Sequence, residues 1–463
     1  MMQERRTGRR EFMRSVSAVA VGAALAQGKV AAETKPRGKR IATFSCEVTP
    51  LLGTPIYSSY LPLATIEYPL LAKGVVIEDE GGRYVLCAVD WCEINNSTHT
   101  LFRKKIAEAA QTDIARVAVQ TVHQHTAPMA DDDAIKLIEA AGSPPPHTPC
   151  SLSEDCAARV ADAVKRALDT LAPFDQIGTG QACVEHVASN RRVPIGEGKV
   201  GFRASSCKDP NFIAMPEGLI DPYLKTITFA LGGKPLARLH YYGTHPQSFY
   251  GDPRASYDFA GMARERLEKE EGVFQVYFTG CEGNIAAGKY NDGTPAAREG
   301  LFERLFAGMK ASTAATQFVP AETIHWRTVP LLLTPRDDGE FAEAACRATM
   351  ANAALTPNAR LGAAATLAFR ARSQTPFILS ALQIGKTHIL HLPGESVIEY
   401  QLFAQELLPD QFVAVAAVGD CGCGYLCLEK FFPEGGYEPT ASNVIPTSEQ
   451  AIRAAIRQLV SNV

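Results

Sequence analysis

Short apolar runs alternate along the chain with polar, glycine-punctuated turns, and stretches with helical spacing separate them. Tyr84 to Val89 is an unbroken apolar run closed by Asp90, the pattern of a buried strand. Asn96 or Ser97 can cap a helix running to about Gln111, and Arg116 to Val122 reads as the next strand. Strand, helix, strand predicts a crossover with parallel neighbours. Ile41 to Leu52 reads as an earlier strand entering a turn. Further on, strands are predicted at Gln176 to Ser189, Leu236 to Tyr242, Phe274 to Phe278 and Phe412 to Val418, with a strand-rich stretch from Pro320 to Pro335. Helices are predicted at Ser151 to Leu171, Met262 to Glu271, Arg298 to Ala311, Phe341 to Ala354 and from about Ser448. Ile378 to Ile384 and Thr387 to Leu392 form a predicted hairpin around Gly385-Lys386. Pro393-Gly394-Glu395 then opens a helix to about Leu407. The expectation is a single large α/β domain over residues 33–463, with mixed β-sheets layered with α-helices and no internal repeat.

The first 32 residues stand apart from this pattern. Arg9-Arg10-Glu11-Phe12 lies in a basic region, Ser15 to Ala26 is a short apolar run, and Val30-Ala31-Ala32 offers a small-residue cleavage site. Together they read as an export signal of twin-arginine type, which predicts a periplasmic or extracellular protein. No other segment is long and apolar enough to span a bilayer. Residues 1–32 carry six Lys or Arg and two acids, a net +4 that leaves −8 on the rest of a chain whose total is −4. An acidic body argues against a nucleic-acid partner. Oligomeric state is not legible. Of the twelve cysteines, the spacings Cys150/Cys156 and Cys183/Cys207 permit disulfides, while cargo folded before export would keep buried thiols.

The candidate chemistry begins at His123-Gln124-His125, just past a strand. In extended chain, residues two apart point to one side, so both rings can address one point. His245, Glu395 and Tyr425 also sit just past apolar strands. Loops at one edge of a sheet converge, and histidine with carboxylate is a standard zinc donor set. Arg and Tyr donors nearby could stabilise the oxyanion of acyl transfer. Asp131-Asp132-Asp133 and Ser143 to His147 read as a polar loop with a turn or two of helix, suited to a rim or a solvated surface. Cys421, Cys423 and Cys427 read as buried thiols flanking Tyr425, with a redox or separate metal role as the alternative.

Taken in order, these motifs resemble the neutral/alkaline, non-lysosomal ceramidases, zinc amidases that hydrolyse the N-acyl bond of ceramide. The family's His-Thr-His-Ser-Gly-Pro stretch is similar to His123-Gln124-His125-Thr126-Ala127-Pro128, which implies His123 as a zinc ligand and His125 as a stabiliser of the tetrahedral intermediate. Its Asn-Arg-Ser-Pro loop is similar to Asn190-Arg191-Arg192-Val193-Pro194, which implies Arg191 near the substrate carbonyl. His245-Pro246-Gln247-Ser248 and Pro393-Gly394-Glu395 match its other zinc motifs. Gly424-Tyr425 and Tyr437-Glu438, twelve apart, match a tyrosine ligand and a substrate-facing tyrosine. The resemblance thus implies Zn2+ held by His123, His245, Glu395 and Tyr425, with His125, Arg191 and Tyr437 catalytic. The implied reaction is amide hydrolysis of ceramide or a ceramide-like N-acyl lipid by metal-activated water.

The departures are informative. The family's Gly-Asp-Val-Ser-Pro stretch is here Gly283-Asn284-Ile285-Ala286-Ala287, which has no serine nucleophile. The acids at 131–133 replace glycines and an aromatic. The chain stops at Val463, so only the family's catalytic domain is expected, without its C-terminal β-sandwich. A zinc hydrolase of a non-lipid N-acyl substrate, with the acidic run selecting a polar or cationic amine, therefore stays open. So does a catalytically dead binding protein on the same scaffold.

Overall fold

The computed structural model describes residues 38–461; the expected export segment lies outside them. Three sheets carry the architecture. The first runs, in spatial order, Val117–Thr121, Gly82–Val89, Leu71–Asp79, Arg40–Glu47 and Ala172–Pro173. The second runs Phe274–Thr279, Lys234–Tyr242, Tyr223–Leu231, Gln176–Cys183 and Gln317–Pro320. The third runs Ile324–Leu331, Phe377–Ile384, Thr387–His391 and Phe412–Ala416. Helices Asn96–Ala110 and Cys150–Ala167 cover the first sheet, Asp258–Glu271 and Pro295–Ala314 the second, and Ile398–Glu406 and Ser448–Val460 the third. This is the expected mixed α/β layering.

Each sheet holds one parallel pair at its edge, and all its other pairings are antiparallel. The parallel pairs are Gly82–Val89 with Val117–Thr121, Lys234–Tyr242 with Phe274–Thr279, and Thr387–His391 with Phe412–Ala416. A parallel pair needs a crossover, and a helix lies in each one: Asn96–Ala110, Asp258–Glu271 and Ile398–Glu406. The carboxyl ends of the three edge strands are stitched together. Thr121 N donates to Val418 O (2.8 Å), and Ala417 N donates to Thr279 O (2.9 Å). The Thr279 hydroxyl donates to Val122 O (2.6 Å), and the Gln120 amide nitrogen lies 3.0 Å from the carbonyls of Leu392, Ala416 and Ala417. Six strand ends from three sheets therefore open onto one place.

An apolar core joins the sheets, with Leu239, Val276 and Leu390 fully buried within it; truncating such a leucine to alanine costs about 2–5 kcal/mol. Asp90, the acid that closes its strand, makes a buried bidentate pair with Arg264 (2.8 and 2.9 Å) and so ties the first sheet to the helix of the second. No helix among the described residues is long and apolar enough to cross a membrane.

Several local expectations change. Glu395 does not open a helix: Gly394 turns at φ +61°, Glu395 N donates to Gly424 O (3.1 Å), and the helix begins at Ile398. The acidic run is not a solvated loop. Asp131 caps helix Asp132–Ala140 and accepts from Asn96, Asp132 accepts from the Ser153 hydroxyl (2.9 Å), and Asp133 accepts from Ser97 N (3.0 Å) at the start of the neighbouring helix. Phe341 to Ala354 shortens to helix Glu343–Ala351. A further helix, Pro357–Ala371, follows behind a Thr356 cap with proline at its start, a signal present in the sequence. Strands Leu71–Asp79 and Tyr223–Leu231 were also unanticipated. All twelve cysteines are free, so neither permitted disulfide forms.

Candidate metal centre

His123 leaves its strand at φ +73°, a conformation uncommon outside glycine. The strained backbone aims its ring inward. Its Nδ1 donates to the Cys92 carbonyl (2.8 Å), which turns Nε2 towards the centre. His245 is set the same way: Nδ1 lies 3.0 Å from the carbonyls of Glu282 and Ile285. Both Nε2 atoms meet one carboxylate oxygen, Glu395 Oε2, at 3.3 Å from His123 and 3.0 Å from His245. Two histidines with fixed tautomers around one carboxylate are a built donor set, and it fits a divalent ion of the zinc type. Burial, followed by the Arg191 charge, pulls His245 down to about 4, so it stays a neutral donor. Burial opposes the charge on Glu395, but His123 and His245 hold it well below the usual carboxylate range.

Tyr425 arrives opposite Glu395. The two are Cα partners in a two-residue parallel ladder, and the Tyr425 hydroxyl lies 3.4 Å from His245 Nε2. Glycines allow this approach. A Cβ at Gly394 would meet Gly424 O at 2.6 Å, and one at Gly424 would meet Ala441 O at 2.3 Å.

Arg191 and Arg192, inseparable in the sequence, take different parts, and neither faces solvent. Arg191 donates to the Tyr425 hydroxyl (2.9 Å) and to the Gly283 carbonyl. Arg192 turns away to Glu438 (2.8 Å) and Glu434 (2.9 Å) and stacks on Phe431. Tyr437 packs edge-on against Tyr425 at 5.5 Å, under the Arg191 guanidinium. The twelve-residue excursion between the two tyrosines closes because Asn443 N returns to Cys423 O (3.1 Å). His125 stands at the rim, half-buried, with Nε2 3.3 Å from His123 Nε2 and its ring against Tyr57 at 5.3 Å. Burial and the neighbouring His123 push its pKa well down, so it is neutral.

The structure thus gathers all seven residues singled out from the sequence. It adds two that were missed. Glu282 follows strand Phe274–Thr279, and its carboxylate lies with the donor atoms of His123, His245 and Glu395 inside a 4.8 Å span. Glu93 follows strand Gly82–Val89; burial and Glu395 push it up to about 8. Glu282 is a single acid just past an apolar strand, the same signal that marked Glu395, whereas Glu93 comes after Asp90, the acid that closes its strand. Cys421, Cys423 and Cys427 are buried, and burial raises all three thiols well above their ordinary range. That chemistry disfavours a reactive thiolate.

A cavity of about 380 Å³ opens from the centre, where Glu93, Glu395, Tyr425 and Tyr437 form its wall. It extends between helices Asp132–Ala140 and Pro357–Ala371, lined there by Ile135, Phe341, Leu361 and Ala365.

No protein-family model matches this chain, and no curated protein does. Solved structures do. A ceramidase complexed with C2 superposes with a TM-score of 0.67 and 16% identity, over 90% of this chain and 74% of its own. The neutral ceramidase from Pseudomonas aeruginosa gives 0.65 and 16%, over 90% and 73%. The chain has the fold of the neutral ceramidases, with a His/Glu cluster able to hold a metal at the meeting point of its three sheets.

Proposed function

We propose that this protein is an exported, zinc-dependent amidase that cleaves the N-acyl bond of ceramide or a ceramide-like lipid. The observation that carries the reading is the convergence of His123 and His245 Nε2 on one oxygen of Glu395, at the inner end of an apolar-lined cavity. His123, His245, Glu395 and Tyr425 would hold the ion. When bound, zinc supplies Lewis-acid activation of water and of the amide carbonyl near neutral pH.

The chain's own groups do the rest. His125, neutral and beside His123, accepts a proton or donates to the developing oxyanion. Arg191 fixes the Tyr425 oxygen and lends it positive charge. Tyr437, on the cavity wall, offers a hydroxyl to the substrate. The lining of Ile135, Phe341 and Leu361 excludes water and suits an acyl or alkyl chain. A polar N-acyl substrate is the second reading, favoured by Glu93 and Asp131 on the same wall.

Metal content of the purified protein and of His123→Ala, with hydrolysis of a panel of N-acyl lipids and N-acyl polar amines, tests the proposal. About one zinc per chain, lost in the variant, together with cleavage of the lipid amides, supports it. Full metal occupancy in His123→Ala overturns the ligand set, and cleavage of polar amides alone overturns the substrate.

A further inference from the structure

Glu282 is fully buried, and neither of its carboxylate oxygens has a hydrogen-bond partner. Among the buried carboxylates described, no other has both oxygens unmatched. Asp90 has Arg264, Asp221 has Lys225, and Asp258 has Ser248. The Tyr277 hydroxyl is buried and equally unpartnered, so it does not serve Glu282. A carboxyl in a dry interior is held as a carboxylate only where a cation meets it.

The position of Glu282 is as constrained as its side chain is unsatisfied. Its backbone carbonyl holds His245 Nδ1 at 3.0 Å, so it orients one donor directly. Gly283 N donates to Ser396 O (2.9 Å), and a Cβ at Gly283 would meet Glu395 O at 2.4 Å. The loop is therefore clamped between the segments that carry His245 and Glu395. Its carboxylate lies within 4.8 Å of the donor atoms of His123, His245 and Glu395. Metal–donor bonds of about 2.0–2.2 Å put opposed donors about 4 Å apart, so a small contraction around an ion brings Glu282 into its shell.

We propose that Glu282 is a second carboxylate ligand of the metal, giving the ion five protein donors: His123, His245, Glu282, Glu395 and Tyr425. This rests on the metal-site reading above and sharpens it. A shell with two carboxylates and a tyrosine is rich in oxygen, and it suits an ion that accepts five or six ligands better than a tetrahedral one. The group left over from folding, a buried carboxyl without a hydrogen-bond partner, becomes part of the metal's selectivity.

The test loads the metal-free wild type and Glu282→Gln with Co2+ and Zn2+, reading the cobalt absorption spectrum and the affinity against a competing chelator. The wild type should give the weak cobalt bands of a five- or six-coordinate ion. Glu282→Gln should shift towards the intense tetrahedral pattern and bind zinc about 100-fold less tightly, the upper end of what losing a supporting group costs at a metal site. Melting of both metal-free proteins supplies a readout independent of metal: Glu282→Gln should melt at about the same temperature, because the carboxyl it replaces has no hydrogen bond to lose. An intense tetrahedral spectrum in the wild type overturns the inference without any variant. So does an unchanged spectrum and affinity in Glu282→Gln. A wild type that binds neither ion overturns the metal-site reading itself.

Discussion

Glu395 and Tyr425 face each other across a parallel ladder only two residues long, and the backbone of each is held by a glycine immediately before it. Gly394 and Gly424 both have positive φ, +61° and +64°, and both have backbone where a Cβ would be. The geometry of this half of the site is therefore set by main chain, before any side chain is considered.

Gly424→Ala tests that directly. The new methyl group must displace Ala441 O, and the residue must keep a strained φ. The expected outcome is a loss of about 1–3 kcal/mol in denaturant unfolding, the usual cost of a forced left-handed residue, together with reduced metal content. Unchanged stability and full metal content would remove the argument from close approach.

His123 carries strain of the same kind, since its φ of +73° is worth tolerating only if the ring is used. Asparagine accepts that conformation more readily. His123→Asn should melt no lower than the wild type when both are metal-free. It should also lose the metal-dependent rise in melting temperature, which for the wild type corresponds to about 4 kcal/mol at a metal concentration 1,000 times the dissociation constant.

Arg191 and Arg192 give opposite phenotypes. Arg191→Lys keeps the charge but withdraws the planar guanidinium, one nitrogen of which donates to both the Tyr425 hydroxyl and the Gly283 carbonyl. Its kcat should fall on the order of 100-fold with KM nearly unchanged, as expected when a preorganised donor is lost. Arg192→Ala removes the closer partner of the buried Glu438 and leaves it only Arg191 Nε, at 3.5 Å. It should lose about 3 kcal/mol of stability and retain wild-type kinetics below its melting point. Steady-state kinetics and thermal melts on both variants distinguish the roles.

The acidic run makes a structural prediction. Asp133 accepts from Ser97 N at the start of helix Asn96–Ala110. Asp133→Ala should cost about 1 kcal/mol, the usual worth of a capping interaction, and leave KM alone. A change in substrate preference would return that residue to the site.

His391 is buried, with Nδ1 on the Ser380 hydroxyl and Nε2 unpartnered, and burial pulls its pKa down to about 3. The unfolded state then binds a proton near pH 6.5 that the folded state refuses until about 3, so stability from this group is present above 6.5 and is lost as pH falls. Replacing it by His391→Asn should flatten the pH dependence of unfolding between pH 6 and 4 by up to one proton, on the order of 1 kcal/mol per pH unit. The slope is the readout, whatever the offset.

The sequence by itself determined which residues could matter, because strand ends are legible from short apolar runs. His123, His125, His245, Glu395 and Tyr425 all follow such runs, and the Val89-to-Val122 crossover reads directly from strand, helix and strand. Local chemistry also sets the Gly385-Lys386 hairpin and the Thr356 cap. Only the tertiary structure decided which strand ends meet. The three sheets are joined through hydrogen bonds such as Thr121 N to Val418 O, between residues with no local signal linking them. That long-range closure separated Arg191 from Arg192, turned Asp131, Asp132 and Asp133 into caps and cross-helix ties, and carried Glu282 into the centre. A carboxylate's role depends on which partners it is denied as much as on which it finds, and burial and unmatched oxygens exist only once the chain has folded.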